Sequence, residues 1–389
     1  MISVAGRPSA DRRVLFRPDS RRLRSGVVPL LLLILTAGTS PVGGPPSGEA
    51  QDPPRVILFI ADGTGIAHWT AGMLADPAMA LWRFPVVGLV DTRNVEDRVT
   101  DSAASATAYA TGVLTFNRSI GMGPDSVALE TVMERAARRG MATGLVATSS
   151  IVHATPASFA AHVTDRGEYE EIAAQMAASP VNVLLGGGRA YFDPDLREDG
   201  ENHLAPLGHD RRRVTSAAEL ESVASSNVTG LAGLFAESAM PAADASRSPT
   251  LAEMTTAALA VLDRDPDGFL LVVEASQIDW LAHDNQPFAR VAAEVLDCDA
   301  AVKVALDYAD RHPDALVILV ADHETGGTSV LPDGDGWRLG YTSGGHTADL
   351  VPMFAAGAEA ISFSGLRRVD EVGRIIAARV IPDGPAATD

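Results

Sequence analysis

A serine beside an aspartate, at the head of an alanine-rich run, is the first hint of chemistry in this chain. The stretch Thr100-Asp101-Ser102-Ala103-Ala104-Ser105-Ala106-Thr107-Ala108 carries nothing bulky enough to fill a core. Polar sequence gives way there to helix-favouring residues, which predicts Ser102 as the first residue of a helix. Unpaired N–H groups and the positive dipole end at such a terminus favour an anion. A serine oxygen in that position can accept a phosphoryl group. Asp101 and Ser102 also suit a plain helix cap, so the weight falls on residues further along.

Carboxylates and histidines recur where apolar runs end. Asp62 follows Val56-Ile57-Leu58-Phe59-Ile60-Ala61, with Gly63 and Gly65 behind it. Glu274 ends Leu270-Leu271-Val272-Val273, and Asp322-His323 ends Leu316-Val317-Ile318-Leu319-Val320-Ala321. One such aspartate reads as a cap; three carboxylates, one with an adjacent histidine, do not. Asp279 and His283 stand at i, i+4, which sets both on one face of a helical turn, as two ligands of one metal would be. On an exposed helix the same spacing is an ordinary surface pair. His346 sits on a loop made supple by Gly344-Gly345.

These residues need a scaffold that brings strand ends to one edge. Apolar runs at 55–61, 86–90, 142–147, 181–185, 269–274, 315–321 and 352–356 read as strands covered on both faces. Helical sequence at 126–139, 167–178, 250–263 and 288–311 alternates with them, which predicts an α/β fold with a large, mostly parallel sheet. Ligands bind beyond the carboxyl ends of strands in such sheets. Residues 189–250 are polar, less regular and expected at the surface. No linker divides residues 51–389, which read as one domain.

Composition narrows the function. The 389 residues carry 31 Lys+Arg against 50 Asp+Glu, a net charge of −19, and Lys303 is the only lysine. That balance argues against a nucleic-acid partner. It also repels phosphorylated substrates, so phosphate chemistry would need local positive charge, which metal ions supply. Cys298 is the only cysteine and reads as a buried thiol. Residues 1–50 run from arginine-rich through Leu30-Leu31-Leu32-Leu33-Ile34-Leu35 to a Gly/Pro/Ser-rich stretch, the order of a signal peptide and disordered leader. The apolar run is too short to span a bilayer. Export to the periplasm or medium is expected, with cleavage near Ser40 or Ala50 and no membrane span afterwards.

From about Arg55 to Ala356 the chain resembles the alkaline phosphatases. The motifs are Ala61-Asp62-Gly63, the Thr100–Ala108 run, Ala154-Thr155-Pro156-Ala157 and Ala161-His162-Val163-Thr164-Asp165-Arg166. Further along come Val273-Glu274-Ala275, Ile278-Asp279-Trp280-Leu281-Ala282-His283, Ala321-Asp322-His323-Glu324-Thr325-Gly326-Gly327 and Gly345-His346-Thr347. The resemblance implies a phosphomonoesterase with two zinc ions and one magnesium. Ser102 would be the nucleophile that becomes phosphoserine, and Arg166, held by Asp101, would bind phosphate. Asp279, His283 and His346 would bind one zinc; Asp62, Asp322 and His323 would bind the other; Asp62, Thr155 and Glu274 would bind magnesium. His153 and Trp280 would lie beside the magnesium, where some relatives carry Asp and Lys.

Only 22 residues separate His323 from His346, a short interval for this family. The crown insertion that helps many members dimerise must be small or missing, which leaves a homodimer open. Rival readings are a phosphodiesterase, sulfatase or phosphomutase of the same superfamily, or a non-catalytic phosphate- or metal-binding relative. Sulfatases need a Cys/Ser-x-Pro-x-Arg context, absent around Ser102, and diesterases commonly use threonine.

Overall fold

The computed structural model describes residues 53–381. The leader read above as an export signal lies outside them. The strands are β1 Arg55–Ala61, β2 Val86–Asp91, β3 Ala142–Ser150, β4 Val183–Gly187, β5 Arg212–Val214, β6 Leu231–Leu234 and β7 Phe269–Ala275. They continue with β8 Ala315–Val320, β9 Glu324–Thr325, β10 Ser329–Asp333, β11 Gly336–Gly340, β12 His346–Thr347, β13 Val351–Gly357 and β14 Gly365–Arg368. Ten of them form one sheet in the order β14-β2-β13-β8-β1-β7-β3-β4-β6-β5. Every pairing in it is parallel except those of β13 with β2 and β8. The fold is therefore the α/β architecture expected, with one strand reversed.

Both faces are covered, which is why the central strands read as unbroken apolar runs. On one face Val56, Leu58 and Ile60 of β1 pack with the helices Ser102–Thr111, Val132–Arg138, Tyr169–Ala178 and Val369–Val380. On the other, Ile57, Phe59 and Ala61 pack with Ile66–Ala75, Leu251–Leu262 and Phe288–Ala309. The small residues of Ser102–Thr111 now have a reason. That helix is almost wholly buried and crosses Val369–Val380 so closely that a Cβ on Gly373 would meet the Ala108 carbonyl.

One expected helix shortens and three strands appear where none was expected. The helix read at 126–139 begins only at Val132, because Ser126 holds a positive φ and Thr131 forms a capping box with Glu134. The irregular 189–250 region supplies two sheet strands, β5 and β6, too short and, in Arg212-Arg213, too polar to be recognised. The edge strand β14 went unread for the same reason. The interval between His323 and His346 holds β9, the β10–β11 hairpin and β12. Among the described residues no helix is long and apolar enough to cross a membrane.

Candidate active site

The carboxyl ends of β8, β1, β7 and β3, neighbours at the middle of the sheet, converge on one cluster. Asp62 follows β1, Asp322 and His323 follow β8, Glu274 lies near the end of β7, and Thr155 lies in the turn after β3. The Asp279–His283 pair rides on the short helix Gln277–His283 directly after β7. Gly63 permits this convergence: its φ is +67°, and a Cβ there would sit 2.6 Å from an Asp279 oxygen. Its N–H donates to Asp322 Oδ1 at 3.0 Å, and its carbonyl accepts from Thr325 N–H at 3.0 Å.

Ser102 opens its helix as expected, with Asp101 as cap accepting from Ala104 N–H at 3.0 Å. Two buried bonds lock this helix onto the end of β8: Ser105 Oγ to the Asp322 carbonyl at 2.7 Å and Tyr109 Oη to the Ala321 carbonyl at 2.8 Å. They leave Ser102 Oγ 3.4 Å from His323 Nε2. Arg166 stands beside it, Nη1 donating to Asp101 Oδ2 at 3.1 Å and Nη2 to His153 Nε2 at 3.2 Å.

Three groups of side chains could each surround a cation. His323 Nε2 lies 3.5 Å from Asp62 Oδ1 and 3.3 Å from Asp322 Oδ2. Asp279 and His346 form a second group with His323, and Asp279 Oδ1 lies 3.7 Å from His346 Nε2; the expected third ligand, His283, has its Nε2 3.4 Å from Asp279 Oδ1. Asp62, His153 and Glu274 form the third group. The ring nitrogens facing away are tied down: His283 Nδ1 meets the Gly344 carbonyl at 2.8 Å and His346 Nδ1 the Thr100 carbonyl at 2.9 Å. His323 Nδ1 meets Thr325 Oγ1 at 3.2 Å, and that hydroxyl donates onward to Asp279. A carbonyl only accepts, and a hydroxyl already donating must accept, so neutral rings carry their protons on Nδ1. Their Nε2 lone pairs then point into the site.

The buried polar atoms make the need for positive charge plain. Both Asp62 oxygens, Asp322 Oδ2, Glu274 Oε1 and Thr155 Oγ1 have no hydrogen-bond partner. Burial, with the Asp322, Asp279 and Glu274 carboxylates close by, pushes the Asp62 carboxyl well above its usual range. Burial also raises Asp322 and Glu274. Burial, helped by His346, lowers His323 to about 3, so its ring is neutral. Unpaired buried carboxylates beside neutral imidazoles are costly without a cation to bind, and they suit one well.

His153 departs from the simplest expectation. A guanidinium only donates, so the bond from Arg166 makes His153 Nε2 the acceptor and leaves the proton on Nδ1. That N–H faces Glu274 Oε1 across 4.0 Å. Burial, with Arg166 nearby, lowers the ring to about 3. His153 thus offers the oxygen-rich group a donor; ligation would need the other tautomer and loss of the Arg166 bond. Trp280 packs on the ring nearly edge-on, centroids 5.8 Å apart at 79°. His153 precedes the turn Ala154–Ala157 but forms no side-chain cap.

Several residues here escaped notice in the sequence. Ser149 and Ser276 donate to Glu274 Oε2 at 2.7 and 2.6 Å, aiming the other oxygen at Asp62. Glu324 accepts from Gly327 N–H, Thr328 N–H and Thr347 Oγ1, and so ties the His323 loop to the His346 strand. Glu324 and Thr325 lay in a recognised motif; Ser149 and Ser276 carried no signal of their own.

The chain as a whole is similar to known proteins. The alkaline phosphatase family profile matches residues 54–336. Alkaline phosphatase 3 of Bacillus subtilis is 36% identical over 311 residues, covering 74% of this chain and 64% of that protein. The chain spans just under two thirds of the length of such curated relatives. The alkaline phosphatase of the Antarctic bacterium TAB5 superposes with a TM-score of 0.78 at 35% identity, covering 85% of this chain and 98% of that one. A variant of that enzyme with a histidine replaced by glutamate, described with Mg bound in its M3 site, superposes with a TM-score of 0.79 at 35% identity, with the same coverage. The family profile, the sequence identities and the fold agree, and the chain belongs to the alkaline phosphatase family.

Proposed function

We propose that residues 51–389 form one exported catalytic domain that hydrolyses phosphate monoesters through a phosphoserine on Ser102. One observation carries the reading. Five partnerless buried oxygens belonging to Asp62, Asp322, Glu274 and Thr155 gather beside a serine at the N-terminus of a ten-residue helix, with an arginine alongside.

Arg166 would receive two phosphate oxygens on its planar guanidinium, which a lysine could not match bidentately. Asp101 holds one edge of that guanidinium and His153 the other, so it is oriented before substrate arrives. The Ser102 hydroxyl gives up its proton to solvent and Oγ bonds to phosphorus as the ester P–O bond breaks; the departing alkoxide takes a proton back from solvent. Water then attacks the phosphoserine, releasing inorganic phosphate and restoring the hydroxyl. When bound, two zinc ions, one held by Asp279, His283 and His346 and the other by Asp62, Asp322 and His323, with a magnesium held by Asp62, Thr155 and Glu274, would supply Lewis-acid charge for both displacements. The donor chemistry supports that division: mixed imidazole and carboxylate sets suit zinc, and an oxygen set suits magnesium.

A panel of phosphate monoesters, diesters and sulfate esters tests the reading. The purified mature domain should turn over monoesters fastest. A preference for diesters or sulfates, or no turnover with metals supplied, would reject it. Sedimentation on the same sample reads whether the domain forms a homodimer.

A further inference from the structure

Arg118 is an exposed arginine that holds a backbone conformation rarely open to it. Its φ is +74°, in the left-handed region that costs a residue with a Cβ about 1 kcal/mol or more. Such a residue persists where its surroundings hold it from several sides, and here they do. Its N–H donates to both Asp101 oxygens, at 3.2 and 3.0 Å. Its carbonyl accepts from the Arg166 N–H at 2.7 Å. Its guanidinium grips Asp165 in a two-pronged pair, Nε to Oδ2 at 2.9 Å and Nη2 to Oδ1 at 2.6 Å. Asp165 Oδ1 also accepts from Gly167 N–H at 2.7 Å. The Arg118 guanidinium lies so close over Gly167 that a Cβ there would meet Nη2 at 3.3 Å.

One residue therefore touches both ends of the Asp101–Arg166 pair, and its side chain braces the residues on either side of Arg166. The Arg118 and Asp165 side chains are 57% and 46% exposed, where an ion pair adds little to stability. Glycine would take up the same backbone with less strain. What arginine adds at this position is the grip on Asp165, and that grip acts on Arg166.

We infer that Arg118, through its fork onto Asp165, is a positioning residue that fixes the Arg166 guanidinium for phosphate; this rests on the reading of Arg166 as the phosphate-binding group. Arg118→Gly keeps the backbone bonds and removes only the fork. Its Tm should equal or exceed that of the parent protein, while KM and the inhibition constant of inorganic phosphate rise about three- to tenfold, the size of coupling within one hydrogen-bond network. Asp165→Asn should give the same signature, and the Arg118→Gly/Asp165→Asn pair no further loss. Arg118→Lys should recover part of it, since it restores charge without the fork. Phosphate binding by calorimetry on the metal-loaded proteins separates the two ideas. A parent protein that binds phosphate but turns over no monoester overturns the catalytic reading alone. Arg118→Gly matching the parent in phosphate affinity overturns the positioning role.

Discussion

His346 and His283 face each other through their Nε2 atoms at 3.1 Å. Each ring spends its Nδ1 proton on a carbonyl, Thr100 for His346 and Gly344 for His283. Two lone pairs so close repel, and Asp279 Oδ1 adds a third electron-rich atom within 3.7 Å. A cation among them turns repulsion into ligation. Chelation should therefore lower Tm by on the order of 10 °C, and zinc should restore it, if the ion is bound at concentrations about a thousandfold above its Kd. Calorimetric scans with and without chelator read this; identical scans would refute a metal-dependent site.

Ser102→Ala should leave the fold and metal content intact, since the helix is capped by Asp101 and not by the serine. Turnover should fall by roughly a thousandfold or more, as when a nucleophile is deleted. Labelled phosphate trapped in acid and mapped to a peptide locates the nucleophile. Label on Ser105 or Thr107 would displace Ser102 from that role.

The buried carboxyls set a pH dependence whose sign can be worked out. Burial raises the folded-state pKa of Asp62, Glu274 and Asp322. Above about pH 4, the ordinary carboxylate value, the metal-free fold therefore holds more protons than the unfolded chain. A proton-richer folded state loses stability as pH rises towards the raised pKa values. Metal binding displaces those protons, so the Tm gap between loaded and chelated protein should widen with pH, and activity should collapse in acid. Scans from roughly pH 5 to 8 check it, and a constant gap would be inconsistent with carboxylates that titrate on metal release.

Tyr109→Phe removes the bond from the helix Ser102–Thr111 to the Ala321 carbonyl, one residue before Asp322. Leaving a buried acceptor unmatched costs about 1–3 kcal/mol. Both Tm and turnover should fall, because the same bond holds Ser102 against His323. A drop in Tm with unchanged turnover would show that Ser105 alone maintains the alignment.

His153 Nε2 accepts a hydrogen bond from Arg166 Nη2, so zinc that captured this ring would have to break that bond. Protein loaded with zinc alone should bind phosphate more weakly and turn over slowly, then recover as magnesium is added. Trp280→Lys places a cation where an aromatic ring now packs, and should tighten phosphate inhibition while slowing turnover. Unchanged phosphate inhibition in Trp280→Lys, together with no response to magnesium, would remove this tuning.

How far the sequence could be read followed from burial. The run 55–61 matched β1 residue for residue, because past the half-buried Arg55 a strand covered on both faces has to be apolar. The helix beginning at 288 kept its start and ran two residues short of the expected end. Strands β5, β6 and β14 hid because four residues or fewer leave no period to detect. The candidate ligands were legible as polar residues interrupting apolar runs, an arrangement packing alone does not explain. Arg118 and Asp165 were not: their role depends on a backbone torsion and a contact across 47 positions, neither of which residue type announces.

The reversed strand β13 has a consequence for how this site tolerates change. Because β13 runs against β8, the chain leaves β8 and enters β13 at the same edge of the sheet. His323 and His346 therefore flank a simple return that needs no crossover helix. β9 and β12 pair antiparallel, staple the two stems of that return together, and hold both histidines below the β10–β11 hairpin. Parts of the return above the staple are pinned as well: the Gly344 carbonyl accepts from His283 Nδ1, Tyr341 Oη donates to the Gln286 carbonyl, and Leu339 is buried in the core. Only the exposed hairpin tip, from Asp333 to Gly336, carries none of these contacts, so length changes there leave sheet register and both histidines in place, which makes that tip the natural graft point of the molecule.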